Sequence, residues 1–206
     1  MLVGLYGGTF DPIHLGHLHA ARSVMAVLGL AEIRLILSAR PGHRDDPAAP
    51  VEDRWRMLQL ACESDPRLIP DETEIRRSGK SYTVTTLEDL RERYPDQHLC
   101  WVLGVDSFVT LPEWYRWSEV LRLCNLVVVE RPGHASRWPA ELVEYCQPFE
   151  RAVLSDEPAG QLIRLNTPML ELSATQVRKA VRQGEPYEHL LPVEVSAYIK
   201  DHALYV

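Results

Sequence analysis

Residues 7–19 read GGTFDPIHLGHLH and place two glycines, an Asp-Pro turn and three histidines directly after the apolar start MLVGLY. Gly7 and Gly8 allow a ligand to approach the backbone more closely than a Cβ would permit. His14 and His17 are three residues apart, so a helix that begins near His14 carries both imidazoles on one face. The N-terminus of such a helix binds anions through its free N–H groups and its dipole. This stretch therefore predicts a phosphate-binding turn that carries two histidines.

Other chemistry fits the same stretch less well. It matches neither GxGxxG nor GxxxxGK[ST], which disfavours a dinucleotide site or an ordinary NTPase. A zinc site at His14 and His17 would need further ligands, and the sequence offers no Cys or His cluster to supply them. Gly16 lets another group pack against the helix backbone. We expect His19 to lie on the surface, because it points away from the other two histidines.

A second candidate anion site lies near the other end of the chain. Ser173 followed by Gln176 is a capping-box pattern, so the sequence predicts a helix N-terminus at Ser173. Thr175 and Arg178 lie three apart on one face of that helix, and arginine can hold a phosphate with two parallel hydrogen bonds. The alternative for this segment alone is a capped surface helix with exposed arginines.

The elements that must position these residues alternate regularly along the chain. Apolar runs predict strands at 2–6, 33–38, 68–75, 98–105, 125–130 and 163–166. Helical periodicity predicts helices at 14–28, 52–63, 81–94, 118–124, 173–184 and 193–202. This alternation predicts an α/β fold, a Rossmann-like doubly wound parallel sheet with a small C-terminal helical end. We expect one domain over 1–206, with 173–206 as its helical subregion and the weakly patterned 131–160 as a surface excursion.

Composition narrows the function classes. The chain has 206 residues, 46% of them hydrophobic, and a formal net charge of −7. This acidic balance argues against nucleic acid as a partner. No apolar run reaches the roughly 18 residues of a membrane span, and no secretion signal is evident. The cysteines are widely spaced and lie mostly among apolar neighbours, which is typical of free thiols in a reducing cytoplasm: Cys62, Cys100, Cys124 and Cys146.

Four motifs together resemble one family. GGTFDPIHLGH resembles the HxGH element of nucleotidyltransferases, a superfamily of adenylyl- and cytidylyltransferases. SGKSYTVTTL at 78–87, VLGVDSFVTLPEWYRW at 102–117 and LELSATQVRKAV at 170–181 are similar to the SYT, WY and SAT segments of the bacterial nicotinate-nucleotide adenylyltransferase family. The chain departs from the family at GHR, where Gly42 and Arg44 replace the proline and lysine of PPHK. On these motifs the chain is identified as a member of that family.

The resemblance implies transfer of AMP from ATP to nicotinate mononucleotide, which gives deamido-NAD and pyrophosphate. The acceptor phosphate attacks directly, so no covalent enzyme intermediate forms. His14, His17 and Arg178 are the implied catalytic residues. The implied ATP site comprises Gly7, Gly8, Thr9, Phe10, His14, Gly16, His17, Gly104, Asp106, Ser173, Thr175 and Arg178.

The resemblance also implies an acceptor site. Thr83 would hydrogen-bond the nicotinate carboxylate, Tyr115 would supply a backbone N–H to it, and Trp114 would stack on the pyridine ring. His43 and Arg44 lie in a loop that would close over phosphates. Asp106 would accept a ribose hydroxyl. We expect Mg²⁺ to arrive with ATP, with no dedicated protein metal site, no nucleic-acid partner and no membrane association.

Rival functions stay open at this point. A nicotinamide mononucleotide or phosphopantetheine adenylyltransferase uses the same chemistry, although the phosphopantetheine enzymes carry TxGH and lack SYT and WY. A class I aminoacyl-tRNA synthetase is disfavoured by the acidic chain and by the lack of a KMSKS-like motif. A non-catalytic nucleotide sensor would be expected to lose His17 or Arg178, and this chain has both. The sequence carries no signal of oligomeric state.

Overall fold

A parallel β-sheet forms the centre of the protein. The structure, a computed structural model, describes residues 2–42, 46–130, 138–167 and 170–206. Seven strands pair in the order β3-β2-β1-β4-β5-β7-β6, and every pair is parallel. The strands are β1 Leu2–Gly8, β2 Ile33–Leu37, β3 Leu68–Asp71, β4 His98–Gly104, β5 Asn125–Glu130, β6 Glu150–Arg151 and β7 Leu162–Asn166.

Helices cover both faces of this sheet, which confirms the predicted fold class. Within the described residues the α-helices are α1 Leu15–Leu28, α2 Val51–Cys62, α3 Thr73–Arg76, α4 Thr83–Arg93, α5 Val105–Phe108, α6 Val120–Leu123, α7 Ala140–Cys146, α8 Ala174–Gln183 and α9 Val193–Asp201. One buried apolar cluster joins a sheet face to α1, α2, α8 and α9. A second cluster joins the other face to α4, α5, α6 and α7.

The path of the chain through the sheet creates one site-forming crevice. From the central β1 the chain moves outward through β2 and β3, then returns to place β4 on the other side of β1. Tyr6 is paired with Val102 in that register, so the carboxyl ends of β1 and β4 lie side by side. In open α/β sheets, ligands bind at such a reversal point.

Two predictions about elements were wrong in detail. The segment predicted as a strand at 68–75 ends at Asp71 and continues as helix α3. The Asp71 carboxylate accepts the backbone N–H of Thr73 at 2.9 Å, a local side-chain bond that ends an extended segment. The helix predicted at 118–124 begins at Val120, after a 3₁₀ turn over Trp117–Glu119.

The segment predicted as a surface excursion, 131–160, contains regular structure. Helix α7 lies on the second apolar cluster through Leu142 and Cys146, and β6 pairs with β7. Residues 131–137 lie outside the described residues.

The cysteine prediction is confirmed in its structural part. All four thiols are free and buried, and burial raises the pKa of each one. Across the described part of the chain, no helix is both long enough and apolar enough to cross a membrane.

Candidate active site

A cleft of about 840 Å³ opens at the carboxyl ends of β1 and β4. Its wall is built by the turn after β1, the start of α1, the end of β4, the start of α4 and the start of α8. The structure brings most of the predicted site residues to this one wall: Gly7, Gly8, Thr9, Phe10, His14, Gly16, His17, Thr83, Gly104, Asp106, Trp114, Ser173, Thr175 and Arg178.

Gly7, near the end of β1, allows the backbone to pack closely against the Trp101 ring. A Cβ on Gly7 would come within 2.6 Å of the Trp101 ring, so no larger residue fits there. The left-handed backbone conformation falls instead on Phe10, with φ 46°. Non-glycine residues rarely adopt this conformation, and those that do cluster at functional sites. The peptide bond between Asp11 and Pro12 is cis.

His14 and His17 form a packed pair at the start of α1. Their rings stack with centroids 3.7 Å apart, and the Phe10 ring packs edge-on against His17. The backbone N–H of His14 donates to Nδ1 of His17 at 3.3 Å. Because Nδ1 accepts, the neutral His17 ring carries its proton on Nε2. His17 is therefore set to donate a hydrogen bond from Nε2.

Burial keeps both imidazoles uncharged. His14 is 4% exposed, and its burial lowers the pKa of the ring to about 4. Burial and the neighbouring His14 lower the pKa of His17 well below its ordinary value. The His14 Nδ1 is buried and has no hydrogen-bond partner among the described residues. At neutral pH the pair therefore offers hydrogen bonds, not positive charge, to a ligand.

The predicted cap at the start of α8 is confirmed. Ser173 Oγ accepts the Gln176 N–H at 3.2 Å, and Gln176 Oε1 accepts the Ser173 N–H at 2.7 Å. Arg178, one turn further on, donates from Nη1 to the Asp11 carbonyl at 2.7 Å and from Nη2 to Thr175 Oγ1 at 3.4 Å. The arginine thus joins the α8 end of the cleft to the turn after β1, across 167 residues of sequence.

Asp11 is a site residue that the sequence reasoning treated only as a turn former. Its carboxylate is buried and accepts the N–H groups of Ala48 at 2.7 Å and Ala49 at 3.1 Å. It also accepts the Tyr205 hydroxyl at 2.8 Å. Its Oδ2 lies 3.8 Å from Arg178 Nη1. The only local signal was its position in the GGTFDP stretch, because every partner is far away in sequence.

Arg54 is a second residue that the sequence did not single out. It is 1% exposed, and its guanidinium donates to the carbonyls of Thr9 at 3.0 Å, Ser38 at 2.8 Å, Ala39 at 2.9 Å and Ala49 at 3.1 Å. Burial lowers the pKa of Arg54, while the charge of the nearby Asp11 opposes that shift. Four carbonyl contacts from one buried cation hold three segments together behind the cleft.

The predicted acceptor side is assembled only in part. Thr83 and Trp114 line the cleft, with Thr83 as the first residue of α4. Tyr115 is 53% exposed, and its ring packs against Tyr82 with centroids 4.6 Å apart. It is absent from the described cleft wall. His43 and Arg44, predicted to close over phosphates, lie outside the described residues.

A buried carboxylate also reaches this side of the cleft. Glu74 is 6% exposed, lines the wall and accepts the Thr86 hydroxyl at 2.6 Å through Oε1. Its Oε2 has no hydrogen-bond partner within the described segments. No sequence pattern singled this residue out, because it falls in the segment predicted as a strand.

The described ranges contain no group of three His, Cys, Asp or Glu side chains that could hold a metal ion. The donors that line the cleft are neutral imidazoles, hydroxyls, helix N-termini and two arginines, Arg178 and Arg182. That donor set suits an anion such as a polyphosphate.

A parallel sheet with an HxGH helix and a second helix N-terminus at its reversal point defines a nucleotide-handling α/β protein. The cytidylyltransferase-like family model matches residues 5–180. The chain therefore belongs to the cytidylyltransferase-like family, and its relatives place it with the nicotinate-nucleotide adenylyltransferases. It is 41% identical over 206 residues to the probable nicotinate-nucleotide adenylyltransferase of Aeromonas salmonicida, covering 98% of this chain and 96% of the relative.

Other relatives agree along the whole length. The probable nicotinate-nucleotide adenylyltransferase of Hydrogenovibrio crunogenus is 39% identical over 204 residues, covering 99% of this chain and 97% of its own. Among solved structures, the fold is similar to nicotinic acid mononucleotide adenylyltransferase from Plasmodium falciparum in complex with NaAD. That similarity has a TM-score of 0.78 at 16% identity and covers 99% of this chain and 97% of the other. At this identity the structure supports the fold alone.

Proposed function

We propose that this protein transfers the AMP part of ATP to nicotinate mononucleotide, releasing pyrophosphate and forming deamido-NAD. The observation that carries the proposal is the junction between the two anion-binding ends of the cleft. Arg178 of α8 reaches the turn before the HxGH helix, with 2.7 Å between its Nη1 and the Asp11 carbonyl. The full-length similarity to nicotinate-nucleotide adenylyltransferases supports the choice of acceptor.

The reaction needs no nucleophile from the protein. A 5′-phosphate oxygen of the mononucleotide attacks the α-phosphorus of ATP, and the bond from that phosphorus to the β-bridging oxygen breaks. Pyrophosphate leaves with the electron pair. Catalysis then consists of aligning two anions and stabilising the charge that develops on the α-phosphate and the leaving group. This requirement matches the donor set of the cleft.

His17 is placed to act on the α-phosphate. Its Nδ1 is occupied by the His14 N–H, so Nε2–H is the group that is free to donate to a phosphate oxygen. Packing against Phe10 and His14 fixes the ring before substrate arrives. The His14 Nδ1 has no partner among the residues that the structure describes, and a second phosphate oxygen or a phosphate-bound water would satisfy it.

The start of α8 suits the β- and γ-phosphates. Ser173 and Thr175 bring hydroxyls to the N-terminal turn, and Arg178 brings a guanidinium to the same wall. A helix N-terminus and an arginine stabilise the negative charge that pyrophosphate gains as it leaves. Asp106, exposed in α5 directly after β4, lines the cleft, and we propose that it accepts a ribose hydroxyl.

Mg²⁺ enters as part of the substrate, the Mg–ATP complex. Triphosphate charge is normally shared with this ion, which lowers the cost of bringing ATP next to the incoming phosphate.

Thr83 supports recognition of the nicotinate carboxylate. Thr83 lies in the cleft wall as the first residue of α4, and helix N-termini favour carboxylates. Trp114 lines the same side, and we propose that the pyridine ring stacks on it. We further propose that the Tyr115 backbone N–H contributes to this site and that His43 and Arg44 contact phosphate. The free thiols support a reducing, cytoplasmic compartment.

The test is pyrophosphate release from ATP with nicotinate mononucleotide, nicotinamide mononucleotide and phosphopantetheine as acceptors. We expect kcat/KM to favour the nicotinate acceptor over the nicotinamide one by about a hundredfold, because the amide would leave a buried donor unpaired. Equal efficiency with both would overturn the acid-specific assignment. Release with none of the three would favour a nucleotide sensor.

Thr83→Val separates acceptor recognition from ATP handling. The variant should shrink the preference for the acid while leaving KM for ATP near the wild-type value. Thr85→Val is the matched control, since Thr85 lies on the same helix but outside the described cleft wall. An unchanged preference in Thr83→Val would remove the threonine from carboxylate recognition.

A further inference from the structure

Tyr205 contacts the ATP end of the cleft from behind. It is 8% exposed, and it does not line the described cleft wall. Its hydroxyl donates to Asp11 Oδ1 at 2.8 Å, across 194 residues of sequence. The charges of Asp11, Arg178 and Arg54 all act on this hydroxyl, so it lies where three segments of the site meet.

Asp11 is the junction through which the tyrosine can act. Its backbone carbonyl accepts Arg178 Nη1 at 2.7 Å, whereas its carboxylate oxygen Oδ2 stays 3.8 Å from the same nitrogen. The carboxylate is occupied by the N–H groups of Ala48 and Ala49 and by the Tyr205 hydroxyl. Arg178 is therefore held by a carbonyl, and its charge is not paired at short range by this carboxylate.

We propose that Tyr205 is a positioning residue for ATP binding, because its hydroxyl occupies the Asp11 carboxylate and so leaves the Arg178 guanidinium available to phosphate. Without the hydroxyl, Oδ1 keeps only the Ala49 N–H. The carboxylate can then turn toward Arg178 and form a direct ion pair, a charge-assisted bond that competes with phosphate for the same donors. This inference depends on the proposed adenylyl transfer in one respect, namely that Arg178 binds ATP.

The chain offers a matched comparison for a purely structural role. Tyr198 on α9 also donates to a carboxylate, with 2.8 Å between its hydroxyl and Asp53 Oδ1. This bond ties α9 to α2, just as the Tyr205 bond ties the C-terminal region to the turn after β1. Asp53, however, lies outside the described cleft wall and Asp11 lies within it. Tyr198→Phe and Tyr205→Phe therefore each remove a tyrosine–carboxylate hydrogen bond. Only the bond of Tyr205 reaches a residue of the cleft wall.

The experiment measures the Kd of α,β-methylene-ATP with Mg²⁺ by calorimetry, which needs neither turnover nor a known acceptor. We expect Tyr205→Phe to weaken binding about five- to tenfold, as for a contact that positions a ligand group without touching the ligand. Tyr198→Phe should stay within about twofold of the wild type, because its bond is remote from the cleft. Melting temperatures are compared first, and binding is measured well below both transitions.

A double variant tests the route through Asp11. An asparagine carries no charge and cannot form an ion pair with Arg178, so Asp11→Asn/Tyr205→Phe should bind the analogue as Asp11→Asn alone does. Additive losses would overturn the proposal, as would wild-type affinity in Tyr205→Phe or equal losses in the two tyrosine variants. In turnover assays, KM for nicotinate mononucleotide should not move. Failure of the wild-type protein to bind the analogue would instead refute the proposed function, and this inference with it.

Discussion

The buried His14 ring should make the free protein lose stability as the pH falls from about 6.5 to about 4. In the folded state its pKa is lowered to about 4 by burial, from an ordinary value of 6.5. The unfolded chain therefore takes up a proton first as the pH drops. Between the two values the unfolded state binds more protons, so the free energy of unfolding decreases with falling pH. Above about 6.5 both states are neutral at this ring and the effect vanishes.

The size of this loss in the free energy of unfolding follows from the difference between the two pKa values. The difference 6.5 − 4 is about 2.5, which at about 1.4 kcal/mol per unit corresponds to about 3 kcal/mol at the acid limit, and about 2.5 kcal/mol by pH 4.5. Domains are typically stable by about 5–15 kcal/mol, so a loss of this size is measurable. His17 shifts in the same direction and adds to it.

The assay is urea unfolding at pH 7.5, 6.5, 5.5 and 4.5 for the wild type and for His14→Asn, which cannot titrate at this position. The variant should start less stable, and the gap to the wild type should narrow by about 2.5 kcal/mol at the acid end. His189→Asn is the control, because His189 is exposed; its curve should run parallel to the wild type. Parallel curves for the wild type and His14→Asn would refute the reasoning that burial keeps this ring neutral.

Three further variants test the remaining contacts. His17→Ala should lower kcat about a hundredfold or more with a smaller change in KM, since charge on the α-phosphate develops in the transition state; retention of more than about a third of kcat would exclude it from the chemistry. Arg178→Lys keeps the charge but loses the planar fork, so KM for ATP should rise and kcat should fall; unchanged kinetics would make Arg178 an ordinary surface residue. Arg54→Met should cost about 3–5 kcal/mol in urea unfolding, because buried carbonyls lose their donor, whereas Arg56→Met on the exposed face of α2 should cost under about 0.5 kcal/mol.

Local patterns in the sequence predicted the elements whose own residues determine them. Strands β4 and β5 are continuous apolar runs, and such runs are typical of a parallel sheet that is covered on both faces. The capping box at Ser173 depends on residues within four positions of one another, and the structure confirms it. The predicted end of β3 was wrong, because one hydrogen bond to the Asp71 side chain outweighed the apolar pattern of the segment.

Contacts between distant segments could not be predicted in this way. Asp11 meets partners 37 and 194 residues away, and Arg54 is buried because carbonyls from separate loops converge on it. In sequence, each is a polar residue in a turn or on a helix. The left-handed conformation falls on Phe10, whereas residue type alone would favour Gly7 or Gly8 for it.

An acidic protein that binds two phosphorylated substrates must place its favourable interactions locally. The formal charge of −7 repels anions at long range, while the cleft offers the N-termini of α1, α4 and α8, neutral imidazoles and two arginines, Arg178 and Arg182. Neutral donors stabilise phosphate only at hydrogen-bond distance, so their relative placement decides whether they act on the transition state. The two ends of the cleft come from opposite ends of the chain and meet at Asp11. We therefore expect residues that hold this junction, such as Tyr205, to change ATP affinity without touching the substrate.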